Sequence, residues 1–163
     1  MLGKTTDPML EQAEQGIQSK LPAKFQPILA NVIKAGLTIM YSPSLKDTMM
    51  HRINTSNNPA QDAGNGATRM MAELSKQSGN KIPPQVMIPA AIIFAFEYLD
   101  LVEKAGKTQV NPQLIAHTVQ AVTAAMLKMA GITPEKMHQL MISKQAGTTP
   151  APSGIISNQM QGA

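Results

Sequence analysis

Four prolines stand directly after a residue that can cap a helix, in the pairs Asp7-Pro8, Asn58-Pro59, Asn111-Pro112 and Thr133-Pro134. The side-chain oxygen of a capping residue accepts hydrogen bonds from the free amides of a first helical turn. Proline suits the next position because it has no N–H group to leave unpaired. These pairs predict four helix starts. No segment alternates with the period of two that a half-buried strand requires, so the sequence predicts an all-α fold.

Apolar residues recur at helical spacing between these starts, and they predict about five to seven helices in total. One apolar stripe precedes Pro22 and contains Leu10, Ile17 and Leu21, which recur at helical spacing. The longest stripe follows Pro22 and comprises Phe25, Ile28, Leu29, Val32, Ile33, Leu37 and Met40. Ser42-Pro43-Ser44 ends that helix and can start a short one, which carries Leu45, Met49, Met50 and Ile53.

The helix predicted after Asn58 begins with turns that are almost bare of side chains, because Gly64 and Gly66 stand among alanines. Each glycine inside a helix costs about 1 kcal/mol relative to alanine. A close approach of another backbone would offset that cost. A broken helix or a loop at these glycines is the alternative, and the sequence leaves both open.

The most apolar segment runs from Val86 to Phe96 and is followed by Glu97 and Asp100. Its eleven residues are too few to span a bilayer, which needs about 20. The segment is therefore predicted to be a central core helix. A face buried against another subunit, or later against lipid, is the alternative, and its candidate contact residues are Ile88, Ile92, Ile93, Phe94 and Phe96 together with Gly64 and Gly66.

The predicted layout is an N-terminal extension over residues 1–6, one helical domain over 7–144 and a tail over 145–163. The tail is rich in Pro, Gly, Ser and Thr and cannot bury enough apolar surface to order itself, so it is predicted to be a flexible arm. Ile155 and Ile156 are its apolar exception. This pair is a candidate contact with a neighbouring subunit, and a passive tail is the alternative.

The residue types that carry catalysis are sparse in this chain. There is no cysteine, and the three histidines stand far apart in the sequence. No phosphate-binding glycine loop and no serine nucleophile motif is present. Glu97 and Asp100 could share a helix face as a catalytic or metal pair, but the favoured interpretation places them on the wet edge of their helix, with Asp100 near Lys104. The sequence therefore predicts a protein that is not an enzyme and has no cofactor and no metal.

Charge and side-chain type restrict the partners. The net charge is +4, and the basic residues are scattered without a run or interleaved aromatic residues, so double-stranded DNA is expected to bind at most non-specifically. The chain has 13 methionines and no tryptophan. Methionine side chains are flexible, so a core built from them can pack against more than one partner.

Three stretches carry a family resemblance: Asn57–Ala63 (NNPAQDA), Lys81–Ala91 (KIPPQVMIPAA) and Asn111–Gln120 (NPQLIAHTVQ). They resemble small virion structural proteins of short-tailed bacteriophages. The resemblance implies an all-α fold without catalytic residues, in either a neck or capsid component or an internal ejection protein. Ejection proteins are stored with the genome and help to build a DNA conduit through the host envelope.

The methionine-rich composition and the small-residue helix favour the ejection protein, which would be located in the virion and then in the host cell envelope. Its partners would be other virion proteins, further copies of the chain and, transiently, the host membrane. A cellular helical adaptor or secretion translocator is the alternative. Homo-oligomerisation is expected because the segment from Val86 to Phe96 exceeds what one small domain would hide. Aspartate at Ile92 or Phe96 is then expected to abolish assembly.

Overall fold

The computed structural model describes residues 5–133, 135, 136, 138 and 139, and these residues contain helices, turns and no strand. A short 3-10 helix, Ala23–Phe25, precedes the second of the α-helices. The α-helices are α1 (Pro8–Lys20), α2 (Gln26–Met40), α3 (Pro43–Thr55), α4 (Pro59–Gln77), α5 (Pro84–Lys104) and α6 (Pro112–Met129). The prediction of an all-α chain with five to seven helices is confirmed.

The first three predicted helix starts have the expected capping geometry. Asp7 Oδ1 accepts hydrogen bonds from the amides of Met9 and Leu10, at 2.9 and 3.0 Å. Asn58 Oδ1 accepts one from the Gln61 amide at 3.2 Å, and Asn111 Oδ1 accepts one from the Leu114 amide at 2.9 Å. A proline is the first residue of each of these helices. Local chemistry alone therefore fixes where α1, α4 and α6 begin.

The described residues divide into two units between Ala130 and Gly131. In the second unit the Thr133 hydroxyl accepts a hydrogen bond from the Lys136 amide at 3.3 Å, and the described residues that follow Thr133 are helical. The fourth capping pair therefore also starts a helix. The predicted boundary at residue 144 and the predicted flexible arm lie outside the described residues.

Helix α5 is the centre of the first unit, because α1, α2, α4 and α6 all pack against it. Every residue from 90 to 100 is buried, and Phe94 and Phe96 are the largest fully buried side chains. Among the described residues, α5 is also the one continuous helix that is long and apolar enough to cross a membrane. About three quarters of that apolar stretch (72%) is buried inside the chain, so in this fold α5 is the core helix that the sequence predicts.

Gly64 allows α4 and α6 to approach each other closely. A Cβ atom added to Gly64 would lie 2.9 Å from the carbonyl carbon of Ala121 in α6. A Cβ atom added to Gly66 would have no neighbour within 4 Å. Helix α4 is continuous through both glycines, so the alternative of a broken helix or a loop is wrong. The predicted close approach of another backbone is therefore present at Gly64, and that backbone belongs to α6 of the same chain.

Alanine at these two glycines is expected to change stability in opposite directions. Gly64→Ala should lower the free energy of unfolding by about 1–3 kcal/mol, because the backbone of α6 must move. Gly66→Ala should raise it by about 0.5–1 kcal/mol, because alanine loses less backbone entropy in a helix. Urea unfolding followed by far-ultraviolet circular dichroism measures both. Equal effects at the two positions would contradict the described packing of α4 on α6.

Candidate functional site

A groove opens between α3 and α4. Helix α3 leaves the end of α2 at an angle of 80°, after a turn at Tyr41 and Ser42, and it packs little against α4. The space between them has a volume of about 280 Å³. Phe94 and Tyr98 of α5 form part of its lining, and Met40 of α2 closes one end. The bend after α2 therefore creates the groove.

The lining of the groove is mainly apolar and unusually rich in methionine. Met49 of α3 and Met70 of α4 are half-buried on opposite sides, and Gly66 leaves the α4 side open. Methionine side chains have three rotatable bonds and a polarisable sulfur, so they adapt to the shape of what lies between them. The groove is suited to an apolar occupant whose shape is not strictly fixed.

Tyr98 brings a polar group to the lining. The side chain is buried, and its hydroxyl makes no hydrogen bond of good geometry within the described residues. Burial raises the pKa of Tyr98 and the Asp62 carboxylate adds to this, whereas Arg52 and the Ser56 hydroxyl oppose it. Ser56 itself donates to Asp62 Oδ2. The Tyr98 hydroxyl is therefore a buried phenol that stays protonated at neutral pH.

Two arginines and two carboxylates line the polar margin of the groove. Arg52 and Arg69 are exposed and form no ion pair with the described residues. The carboxylates are already engaged, since Asp62 accepts from Ser56 and Glu73 accepts from the side-chain amide of Gln77 at 2.8 Å. The margin therefore carries two exposed arginines beside two carboxylates that accept hydrogen bonds from neutral side chains.

Glu97 and Asp100 form a second polar feature, on another face of α5. The prediction that they line a wet edge is wrong, because their exposed fractions are 0% and 1%. The predicted pairing of Asp100 with Lys104 is confirmed. The carboxylates are buried because the N-terminal segment Thr5–Asp7 lies over them and supplies hydrogen-bond donors.

Asp100 accepts four hydrogen bonds from three residues. Its Oδ1 atom accepts from the amides of Thr6 and Asp7, at 3.0 and 3.1 Å, and from the Thr6 hydroxyl at 3.2 Å. Its Oδ2 atom accepts from Lys104 Nζ. Burial alone would raise the pKa of Asp100, but these donors outweigh it and hold the pKa below its usual value of 3.8. Asp100 is therefore ionised at neutral pH.

Glu97 and Glu14 extend this network. Glu97 accepts from the Thr5 amide at 3.1 Å and from the Tyr41 hydroxyl at 2.9 Å. Glu14 of α1 is fully buried and accepts from the Thr5 hydroxyl at 3.1 Å. Desolvation raises the pKa of Tyr41 well above its usual range, and the adjacent Glu97 charge adds to this shift. The network joins the N-terminal segment, α1, α5 and the end of α2.

Among the described residues no group of three or more His, Cys, Asp or Glu side chains could hold a metal ion. His51, His117 and His138 are exposed, as expected from their isolation in the sequence. The groove can bind an apolar segment, and the carboxylates hold the N-terminal segment on α5.

The predicted contact residues are not brought together on one surface. Ile92, Ile93, Phe94 and Phe96 lie in the core of this chain, and Ile88 is half-buried. A contact with another subunit or with lipid through these side chains would require the fold to open, because α5 is enclosed by other helices. Gly64 contacts α6 of the same chain, whereas Gly66 lines the groove. Ile155 and Ile156 lie outside the described residues.

The groove was missed from the sequence, and a partial signal for it existed. Met49 and Met50 on a short helix directly after Ser42-Pro43 indicate an amphipathic segment at a bend. The role of the N-terminal segment had a signal as well. Two carboxylates within a helix as apolar as α5 need donors, and the first residues of the chain supply them.

The fold defines the protein only as an all-α bundle built around one central helix. The stretches that carry the phage resemblance lie at the starts of α4, α5 and α6, where Asn58 and Asn111 cap their helices. They contribute helix entry, and the first stretch also places Asp62 and Ala63 in the lining of the groove. No protein-family model, no curated protein and no solved structure matches the chain.

Proposed function

We propose that this is a non-catalytic assembly protein, and that its groove binds an amphipathic helix of a partner protein. The observation that carries the proposal is the methionine-lined groove between α3 and α4, which has an open side at Gly66. Helix-in-groove recognition uses apolar side chains that repeat along one face of a helix. A lining that contains Met40, Met49 and Met70 can adapt to such side chains.

The charges at the margin define the partner helix further. Arg52 and Arg69 are exposed and form no ion pair with the described residues, and Asp62 and Glu73 beside them each accept a hydrogen bond from a neutral side chain. An occupant with Asp or Glu beside its apolar face would pair with both arginines. A basic occupant would place like charges together. The proposed partner is therefore an apolar helix with acidic flanks.

In biological terms, we propose that the chain is an internal or ejection protein of a short-tailed phage particle, with other virion proteins as its partners. The support is the resemblance of the helix starts and the methionine-rich composition. On this proposal the protein is stored in the virion, forms homo-oligomers, meets the host envelope after genome ejection and contacts DNA non-specifically. Portal, capsid and tail genes are expected beside its gene. Genes for a secretion apparatus there would favour a cellular translocator.

The groove is tested with two synthetic amphipathic helical peptides that share the same leucine positions, one flanked by glutamates and the other by lysines. The full-length chain should bind the acidic peptide about tenfold more tightly, if two surface ion pairs contribute about 0.2–1 kcal/mol each. Gly66→Leu should abolish binding because its side chain enters the groove, whereas Gly66→Ala should retain binding. Fluorescence anisotropy of labelled peptides measures the affinities.

Charge reversal provides the matched control. Arg52→Glu with Arg69→Glu should invert the preference between the peptides. Lys46→Glu with Lys76→Glu changes the net charge equally on the same two helices, away from the groove, and should leave the preference intact. Unchanged peptide binding by the Gly66→Leu variant would refute the groove as the binding site. Binding to anionic vesicles that the Gly66→Leu change removes would identify lipid as the occupant.

Self-association is a separate prediction with its own measurement. The segment from Val86 to Phe96 is covered within one chain, so it no longer supports homo-oligomerisation by itself. We still expect assembly through other surfaces if the protein builds a conduit. Sedimentation velocity of the purified full-length chain over a range of concentrations tests this. A monomer at every concentration would leave a hetero-partner as the basis of assembly.

A further inference from the structure

We propose that the segment Thr5–Asp7 is a latch that holds α1 on α5, and that α1 is the part of the bundle that opens when the latch is released. This inference is independent of the partner that the groove binds. It rests on the hydrogen bonds between the latch and the buried carboxylates, and on the limited apolar contact that α1 makes.

Apart from these hydrogen bonds, helix α1 makes few buried contacts that stabilise its position. Of its 13 residues, Leu10 and Glu14 are the buried ones, while Ala13 and Ile17 are half-buried. Helix α5, in contrast, has 13 buried residues out of 21. An element with few buried apolar contacts lies at the low-stability end of a fold and opens locally before the rest. The contacts made by the latch therefore contribute a large share of what keeps α1 in place.

The latch itself is held by hydrogen bonds to buried carboxyl groups, and those to the ionised Asp100 are charge-assisted. Asp100 Oδ1 accepts both the Thr6 and Asp7 amides, and Glu97 Oε1 accepts the Thr5 amide. Hydrogen bonds to an ionised acceptor are about twice as strong as bonds between neutral groups. Burial of Asp100 and Glu97 limits competition from water. Loss of the Asp100 charge would therefore weaken the attachment of the latch as a whole.

Acid is the natural way to remove that charge. The titratable groups around Asp100 are Glu97 and Lys104 on α5, Asp7 in the latch, Glu14 on α1 and Tyr41 at the end of α2. Because the pKa of Asp100 is lowered in the fold, its stabilisation is complete above pH 3.8 and is lost as the pH falls through the lower folded value. The latch is therefore set to release in acid and to hold at neutral pH.

Release would expose a strip of α5 that carries Glu97 and Asp100, and it would leave the α4–α6 contact at Gly64 in place. The exposed strip would combine apolar residues of α5 with two carboxylates.

Hydrogen–deuterium exchange on the full-length chain tests the latch. Asp100→Asn keeps the shape and removes the charge, and it should speed exchange of the α1 amides by about tenfold while α4 and α6 stay unchanged. Glu103→Gln is the matched control on the same helix, since Glu103 Oε1 accepts the Val110 amide at 2.8 Å and does not touch the latch. It should leave α1 unchanged.

A second measurement avoids dependence on the variant. In the unaltered chain, α1 should lose protection before α4 and α6 as the pH is lowered below 3.8, after correction for intrinsic exchange. Equal loss of protection in α1, α4 and α6, in the variant or in acid, would overturn the proposal because the bundle would then open as one unit. Unchanged exchange of α1 in Asp100→Asn would overturn it as well.

Discussion

Replacing Phe96 with alanine is expected to lower the free energy of unfolding by about 3–5 kcal/mol. The Phe96 side chain is fully buried on α5, where other helices prevent the cavity from closing. Total stabilities of domains are about 5–15 kcal/mol, so this single change should remove a large share. Urea unfolding followed by far-ultraviolet circular dichroism measures the loss.

Ile88 provides the control on the same helix. Its side chain is half-buried, so Ile88→Ala should cost roughly 1–2 kcal/mol. A larger loss at Ile88 than at Phe96 would mean that α5 does not present the described face to the core. The burial of Phe96 also changes how assembly can be tested. Aspartate at Ile92 or Phe96 would place a charge in the core, so loss of assembly in such a variant would report unfolding.

Gly36 and Phe94 should show strong energetic coupling. A Cβ atom added to Gly36 would lie 2.2 and 2.3 Å from two atoms of the Phe94 ring. Gly36→Ala is therefore expected to lower the free energy of unfolding by about 1–3 kcal/mol, despite the better helix propensity of alanine. Phe94→Leu alone should also destabilise the fold, because it leaves a space beside the glycine.

The double variant is the decisive measurement. With the ring gone, the alanine methyl group at position 36 can fill part of the space, so the two changes together should cost at least about 1 kcal/mol less than their sum. Gly16→Ala is the control, since a Cβ atom there meets nothing within 4 Å, and it should be neutral or stabilising. Additive costs for the Gly36 and Phe94 changes would contradict the described contact between α2 and α5.

The helix starts were predictable because capping is local. Asp7, Asn58 and Asn111 each bond to amides within three residues, so a short stretch of sequence contains the whole interaction. The burial of α5 followed from its composition for a similar reason. A segment as apolar as Val86 to Phe96 must be covered, whichever helices cover it.

The positions of Glu97 and Asp100 could not be predicted in the same way. Three of their donors are backbone amides that lie 92 to 94 residues earlier in the chain, and a backbone amide leaves no mark in a sequence. The groove depends on the 80° angle between α2 and α3, which the Ser42-Pro43 signal marks as a bend without fixing its size. The prediction that the segment from Val86 to Phe96 exceeds what one small domain can cover was wrong, because four other helices enclose α5.

The separation between the N-terminal segment and Asp100 also sets an order of events during synthesis. Chains are elongated at about 5–20 residues per second, so Asp100 is added roughly 5–20 s after Asp7. Throughout that interval the amides of Thr5–Asp7 have no acceptor on α5, and Leu10 has no core to cover it. Helix α1 is therefore made well before the helix that it packs against, and its place in the fold has to wait for α5.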